Sequence, residues 1–168
     1  MFFEASCFPS VVALEDNWKS IREEYNNISS GAIPYLEEDL YRGEWDVFPF
    51  KFFDKEFEDN QKRCPKTWQA LKEIPDLVNA AFSILRHDTD IHPHTGFTKE
   101  VLRCHLGLHT PSRCLLVVGD EPRRWSEGKT LVFDDTLEHY AYNHSDADRV
   151  VLLLDFKKDG RIKRVPSG

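Results

Sequence analysis

The chain has 168 residues, 40% of them hydrophobic and 12% aromatic, with 29 acidic against 22 basic residues and a net charge of −7. That length fits one domain with a substantial buried core. The acid excess excludes nucleic acid as the main partner, because a phosphate backbone needs a basic face, and it disfavours an anionic membrane surface.

The basic cluster Lys157-Lys158…Arg161…Lys163-Arg164 reads as a solvated tail. Every apolar run is far shorter than the roughly 20 residues of a membrane span. Met-Phe-Phe-Glu-Ala-Ser at the start lacks the basic and apolar regions of a signal peptide. Cys7, Cys64, Cys104 and Cys114 show no CxxC spacing, so they are expected as free thiols in a reducing, cytoplasmic setting.

In chain order, residues 10–28 read as a helix, with Val11, Leu14, Trp18, Ile21 and Tyr25 on one face. Residues 35–41 read as a short second helix. Trp45–Phe53 is aromatic and partly alternating, a strand interrupted by Pro49 at a sheet edge. Lys55–Arg63 reads as a polar loop, and residues 65–74 as a helix opened by Pro65. Short apolar segments then follow: Val78–Leu85, Val101–Leu108, Cys114–Val118, Thr130–Phe133, Glu138–Tyr142 and Val150–Phe156. Turn residues separate them at sandwich-like spacing, the last such turn being Asp159-Gly160. The organisation is a helical flank with one edge strand over 1–76, a β core over 77–158 and a tail over 159–168.

Four of the seven histidines lie between His87 and His105. Imidazole suits iron, and non-haem iron oxygenases pair two histidines with a carboxylate. Here His94-Thr-Gly96 has glycine where that carboxylate would stand, and His139 is a distant second histidine. Zinc is the alternative metal, with His92, His94 and His139 as three ligands. In the 101–108 strand, Arg103 and His105 share one face while Leu102, Cys104 and Leu106 take the other. Arg149 opens the run Val150-Val-Leu-Leu-Leu154, where its planar fork suits a carboxylate.

Taken together, Cys64–Pro75, Phe82-Ser-Ile84, Pro93-His-Thr-Gly96, Leu102–Leu108, Trp125–Lys129, Val132-Phe-Asp-Asp135, Glu138-His139 and Arg149 resemble the aspartyl/asparaginyl β-hydroxylase family over residues 41–158. The resemblance implies a mainly β fold, a double-stranded β-helix (jelly-roll, cupin-like) with flanking N-terminal helices. It implies an Fe(II)- and 2-oxoglutarate-dependent dioxygenase that uses O2 to hydroxylate a C–H bond. It implies iron ligation by His94 and His139 without a carboxylate, and 2-oxoglutarate binding by Ser83, Arg103, His105 and Arg149. His92, His109 and His144 match no functional position.

Family members that hydroxylate epidermal-growth-factor-like domains carry an arginine where this chain has Val101. The expected substrate is therefore an amino acid, a peptide or protein Asp/Asn residue, or a small metabolite. The strand 102–108 also resembles lipid A acyl hydroxylases. An iron/2-oxoglutarate halogenase and a non-catalytic β-sandwich binding module stand as further alternatives.

Overall fold

A computed structural model describes residues 1–158. The Asp159-Gly160 turn and the basic residues Arg161, Lys163 and Arg164 lie outside the described residues. The chain runs through β1 (Phe2–Phe3), α1 (Pro9–Asp16), α2 (Trp18–Asn26), β2 (Ile33–Pro34), β3 (Tyr41–Arg42), β4 (Trp45–Phe52), β5 (Lys55–Glu56), α3 (Glu58–Arg63) and α4 (Pro65–Lys72). It continues with β6 (Leu77–Leu85), β7 (Thr89–His94), β8 (Val101–His109), β9 (Cys114–Val118), β10 (Glu121–Arg123), β11 (Thr130–Phe133), β12 (His139–Asn143) and β13 (Arg149–Lys157).

The strands form two antiparallel sheets. The larger has the order β1-β11-β8-β13-β6-β4-β2, with β5 paired to β4; the smaller has the order β10-β9-β12-β7-β3. This is the mainly β, jelly-roll arrangement expected. Its apolar alternation builds two cores. Phe82, Ile84, Leu102, Cys104, Leu106, Leu152 and Leu154 project from the outer face of the larger sheet against Val11, Leu14, Ile21 and Leu71 of the helices. Trp45, Ile91, Leu116, Val118, Trp125, Phe133 and Val151 fill the space between the sheets. A two-faced burial like this leaves the inter-sheet side of β8 and β13 as the place for polar groups, which is where Arg103, His105 and Asp155 fall.

Four local expectations need correction. The helix over 10–28 is two helices, because Asn17 leaves helical geometry (φ −101°, ψ 7°) and closes α1, its side-chain amide donating to the Ala13 carbonyl. Residues 35–41 are not a helix. The Tyr35 N–H donates to the Trp45 carbonyl at 2.8 Å and its ring stacks on Trp45 at 3.8 Å, so the chain stays extended. Only Glu38–Leu40 makes a 3₁₀ turn before Tyr41 pairs with Ile91.

Lys55–Arg63 is not a loop but β5 and α3. Asn60 and Gln61 donate side-chain amide hydrogens to the Pro49 and Phe50 carbonyls at 2.8 and 2.9 Å, pinning α3 to β4. Glu58-Asp59 at its start and Lys62-Arg63 at its end suit the helix dipole. Finally, β4 is not at the edge, since β2 and β6 flank it; Pro49 is accommodated at a register shift between Pro49 and Lys51. The four cysteines are free thiols. Among the described residues no helix is long and apolar enough to cross a membrane.

Candidate active site

The segment before β8 proves to be a strand, β7, that the sequence pattern did not mark. Its last residue, His94, is the register partner of His139 at the start of β12. The pairing brings the two imidazoles together, with ring centroids 4.3 Å apart. Each ring is held by a backbone carbonyl two residues earlier: His94 Nδ1 to His92 O at 2.7 Å, and His139 Nδ1 to Leu137 O at 2.9 Å. A carbonyl only accepts, so each Nδ1 carries the hydrogen and each Nε2 keeps a free lone pair. This is the arrangement that orients a histidine ligand from behind.

Burial holds both imidazoles below their ordinary range, His139 at about 4, with the Leu137 carbonyl opposing and His94 reinforcing that shift. Both are therefore neutral at physiological pH, as metal ligation requires. Among the described residues no three His, Cys, Asp or Glu side chains converge as a metal cluster. The pair fits a two-histidine site. His92 is exposed and contributes its carbonyl, which leaves the zinc alternative without its third ring.

Gly96 shows why no carboxylate follows His94. A Cβ at Gly96 would lie 2.1 Å from Asp135 Oδ2, and the Gly96 N–H donates to the Asp135 carbonyl at 2.8 Å. The Asp135 carboxyl fills the space a side chain would need. It is 2% exposed and its Oδ1 has no partner. Burial pushes its pKa up, against the pull of Arg103 at 3.8 Å.

The remaining sequence-predicted residues line one narrow cavity with His94 and His139; about 30 Å³ of it is open to a water-sized sphere. Larger hollows, such as one of about 440 Å³ beside Tyr25 and His109, are open surface depressions away from these histidines. Arg149 is 1% exposed, yet no carboxylate among the described residues pairs with it. It donates through Nη2 to Ser83 Oγ at 3.0 Å, lies 4.6 Å over the Trp125 ring, and leaves Nε unpartnered. Burial pulls its pKa down to about 10. Ser83 Oγ is fixed in turn by the Trp45 indole N–H at 2.9 Å.

His105 adds a donor. The Trp125 indole N–H points at His105 Nδ1 at 3.1 Å, and an indole only donates, so Nδ1 accepts and Nε2 carries the hydrogen. That Nε2 is buried without a partner. Burial first, then Arg149, keeps the ring neutral. An uncompensated cation and an unused donor in one cavity make a seat for an anion.

Arg103 differs from Arg149. Its Nε and Nη2 donate to the two Asp155 oxygens at 2.8 and 3.0 Å, and Asn79 donates to the same carboxylate at 2.9 Å. Burial opposes its charge, but Asp155 outweighs this and raises its pKa. Arg103 thus reaches the cavity with its charge already balanced. Sequence reasoning missed Asp155, Asp135 and Trp125. The usable signals were a lone acid inside the apolar run 150–156, which must find a cation, and a tryptophan whose N–H needs an acceptor.

The sequence profile of the aspartyl/asparaginyl β-hydroxylase family matches residues 15–159. An ornithine lipid ester-linked acyl 2-hydroxylase of Rhizobium tropici is 34% identical over 93% of this chain, which covers 60% of that protein. The human aspartyl/asparaginyl beta-hydroxylase is 33% identical over 86% of this chain, which covers 20% of it. Thus the chain spans only part of these relatives' length. In fold, it is similar to an oxidoreductase of the 2OG-Fe(II) oxygenase family from Burkholderia pseudomallei (TM-score 0.63, 11% identity, 83% of this chain and 77% of that one). Profile match and relatives agree, and the chain belongs to the aspartyl/asparaginyl β-hydroxylase family.

Proposed function

We propose that the protein is an Fe(II)- and 2-oxoglutarate-dependent hydroxylase. The observation that carries this reading is the union, in one cavity, of two oriented neutral imidazoles and a buried arginine without a carboxylate partner. His94 and His139 would hold the metal through Nε2. Iron with 2-oxoglutarate supplies O2 activation coupled to loss of CO2, yielding succinate and a hydroxylated carbon.

The chain's own residues do the rest. Arg149 and Ser83 neutralise and orient the distal carboxylate, and His105 Nε2–H gives one further hydrogen bond. A bidentate or fork-like contact to a buried carboxylate is among the stronger hydrogen-bonded pairings. Trp125 fixes both the His105 tautomer and the Arg149 plane. Arg103, restrained by Asp155, lines the same cavity and would give the co-substrate a further contact. Phe133, which packs edge-on against both His105 and His139, keeps water off that wall.

The test is anaerobic loading with Fe(II) and 2-oxoglutarate, then O2, with a pooled panel of amino acids, peptides, small metabolites and acyl lipids. A 2-oxoglutarate-dependent release of succinate with a gain of one oxygen in one pool is expected. No such release from any pool would favour the non-catalytic module, and chlorinated product in chloride buffer would favour the halogenase. His139→Ala should abolish Fe(II) binding with the fold intact by circular dichroism.

A second reading concerns the substrate: an acyl chain rather than an aspartyl or asparaginyl residue. Val101 favours it. The side chain is apolar and buried at 3% exposure, so it offers a substrate carboxylate nothing to bind. The likeness to the Rhizobium acyl hydroxylase supports the same choice.

A further inference from the structure

One row of register partners crosses the larger sheet: Arg103 on β8, Asp155 on β13 and Asn79 on β6. Partners in register project to the same face, so the three side chains meet. Arg103 Nε donates to Asp155 Oδ1 and its Nη2 to Oδ2, and the Asn79 amide donates to that second oxygen. The Asn79 amide is fixed in this sense, because its Oδ1 accepts the Phe53 N–H at 2.9 Å. Three hydrogen bonds thus converge on one carboxylate that is 1% exposed, inside the otherwise apolar run Val150–Phe156. A buried ion pair is a poor way to stabilise a fold, since apolar side chains of similar volume often do as well or better. The pair therefore has its use in the cavity that Arg103 lines.

The charge of Arg103 bears on both candidate ligands. After burial, it is among the groups that hold the His94 and His139 imidazoles below their ordinary range, and Asp155 acts on His139 in the opposite sense. Arg103 also stands beside the loop that follows His94. Its Nη2 is 3.8 Å from Asp135 Oδ2, and the Asp135 carbonyl accepts the Gly96 N–H. At 3.8 Å Asp135 makes no hydrogen bond to the guanidinium, so the pairing falls to Asp155.

Two neutral imidazoles bring no negative charge to a divalent cation, whereas two histidines with a carboxylate bring one. An unbalanced guanidinium in the same cavity would repel the metal. The cavity treats its two buried arginines differently. Arg149, beside Ser83 and Trp125, has no carboxylate partner among the described residues, while Arg103 is held by both oxygens of one.

We propose that Asp155 is a positioning residue for the metal: it cancels the Arg103 charge and so supplies, from behind that arginine, the negative charge the two-histidine set lacks. The inference rests on the iron reading above, but its measurement needs neither 2-oxoglutarate nor turnover. The full chain is titrated with Mn(II), the free ion is read by electron paramagnetic resonance, and circular dichroism checks each fold. Asp155→Asn keeps the shape and removes one negative charge. Its Mn(II) dissociation constant should rise at least about tenfold, the scale on which a unit charge acts on a dication through an effective dielectric of about 20. Arg103→Met combined with Asp155→Asn removes both charges, and wild-type binding should return. That recovery separates charge from scaffold, since a merely structural Asp155 would leave the double variant as weak as the single one.

Unchanged Mn(II) affinity in Asp155→Asn would overturn the proposal, as would a double variant that fails to recover. Should Asp155→Asn not fold, the double variant decides alone: wild-type affinity supports the assignment and lost affinity refutes it. Failure of the iron reading itself would show differently, as a wild type that binds no Mn(II) or whose binding survives His139→Ala.

Discussion

Arg149→Met separates what the buried arginine does for folding from what it does for binding. A guanidinium ordinarily titrates above about 12. Burial lowers Arg149 to about 10, and the side chain is 1% exposed. Each tenfold change in an ionisation constant is about 1.4 kcal/mol, so the buried charge costs the fold ~3 kcal/mol. Methionine keeps much of the apolar stem and removes the charge. It also forfeits the bond to Ser83, worth about 1 kcal/mol, and the contact with the Trp125 ring, worth about 2 kcal/mol in a desolvated site.

The gain and the losses nearly cancel, so the variant should melt within a few degrees of the wild type. The co-substrate should separate the two. With Mn(II) in place of iron to prevent turnover, 2-oxoglutarate at 100 times its dissociation constant stabilises the wild type by about 2.7 kcal/mol. It should leave the variant unmoved. Differential scanning calorimetry of both proteins, with and without 2-oxoglutarate, reads all four states. A variant that still rises with 2-oxoglutarate, or a wild type that does not, refutes the reasoning.

Three other outcomes follow from the geometry. Gly96→Asp should destabilise the fold by about 3 kcal/mol, since its Cβ meets the Asp135 carboxyl and two acids then share one buried space; urea titration should show Gly96→Asp combined with Asp135→Gly recovering most of that loss. Asp155→Asn should cost about 3 kcal/mol, because Arg103 stays buried with its partner charge gone, and chemical denaturation measures it.

In the metal-free protein, the depressed pKa of His139 means the unfolded chain takes up the proton first as pH falls from about 6.5 toward about 4. The stability it confers is complete above that window and lost across it. The wild type should thus lose ~2 kcal/mol more than His139→Gln between pH 7.5 and 4.5, and equal losses would count against a buried neutral imidazole.

The strand content and the face assignments of β8 were legible because alternation is a local property. Leu102, Cys104 and Leu106 went to the core, and Arg103 and His105 to the inter-sheet side. Arg149 was legible as a charge at the head of an apolar run. What alternation cannot carry is pairing across the sheets. His94 meets His139 only because β7 and β12 are neighbours, and β7 itself, interrupted by Pro93, reads as a loop. Asp135 gains meaning only from the space in front of Gly96, which a one-dimensional pattern does not contain. The extended course of 35–41 was hidden for the same reason: the stacking of Tyr35 on Trp45 overrides its local helical tendency.

Trp125 and Trp45 give the molecule a property of their own. One indole orients His105 and lies beneath Arg149; the other holds Ser83. Trp45 therefore stands in the wall of the candidate co-substrate cavity, and Trp125 touches two side chains that line it, His105 and Arg149. A dicarboxylate drawn to Ser83, His105 and Arg149 would change the polarity around both rings at once, so the native protein carries its own fluorescent gauge of occupancy, readable before any product is formed.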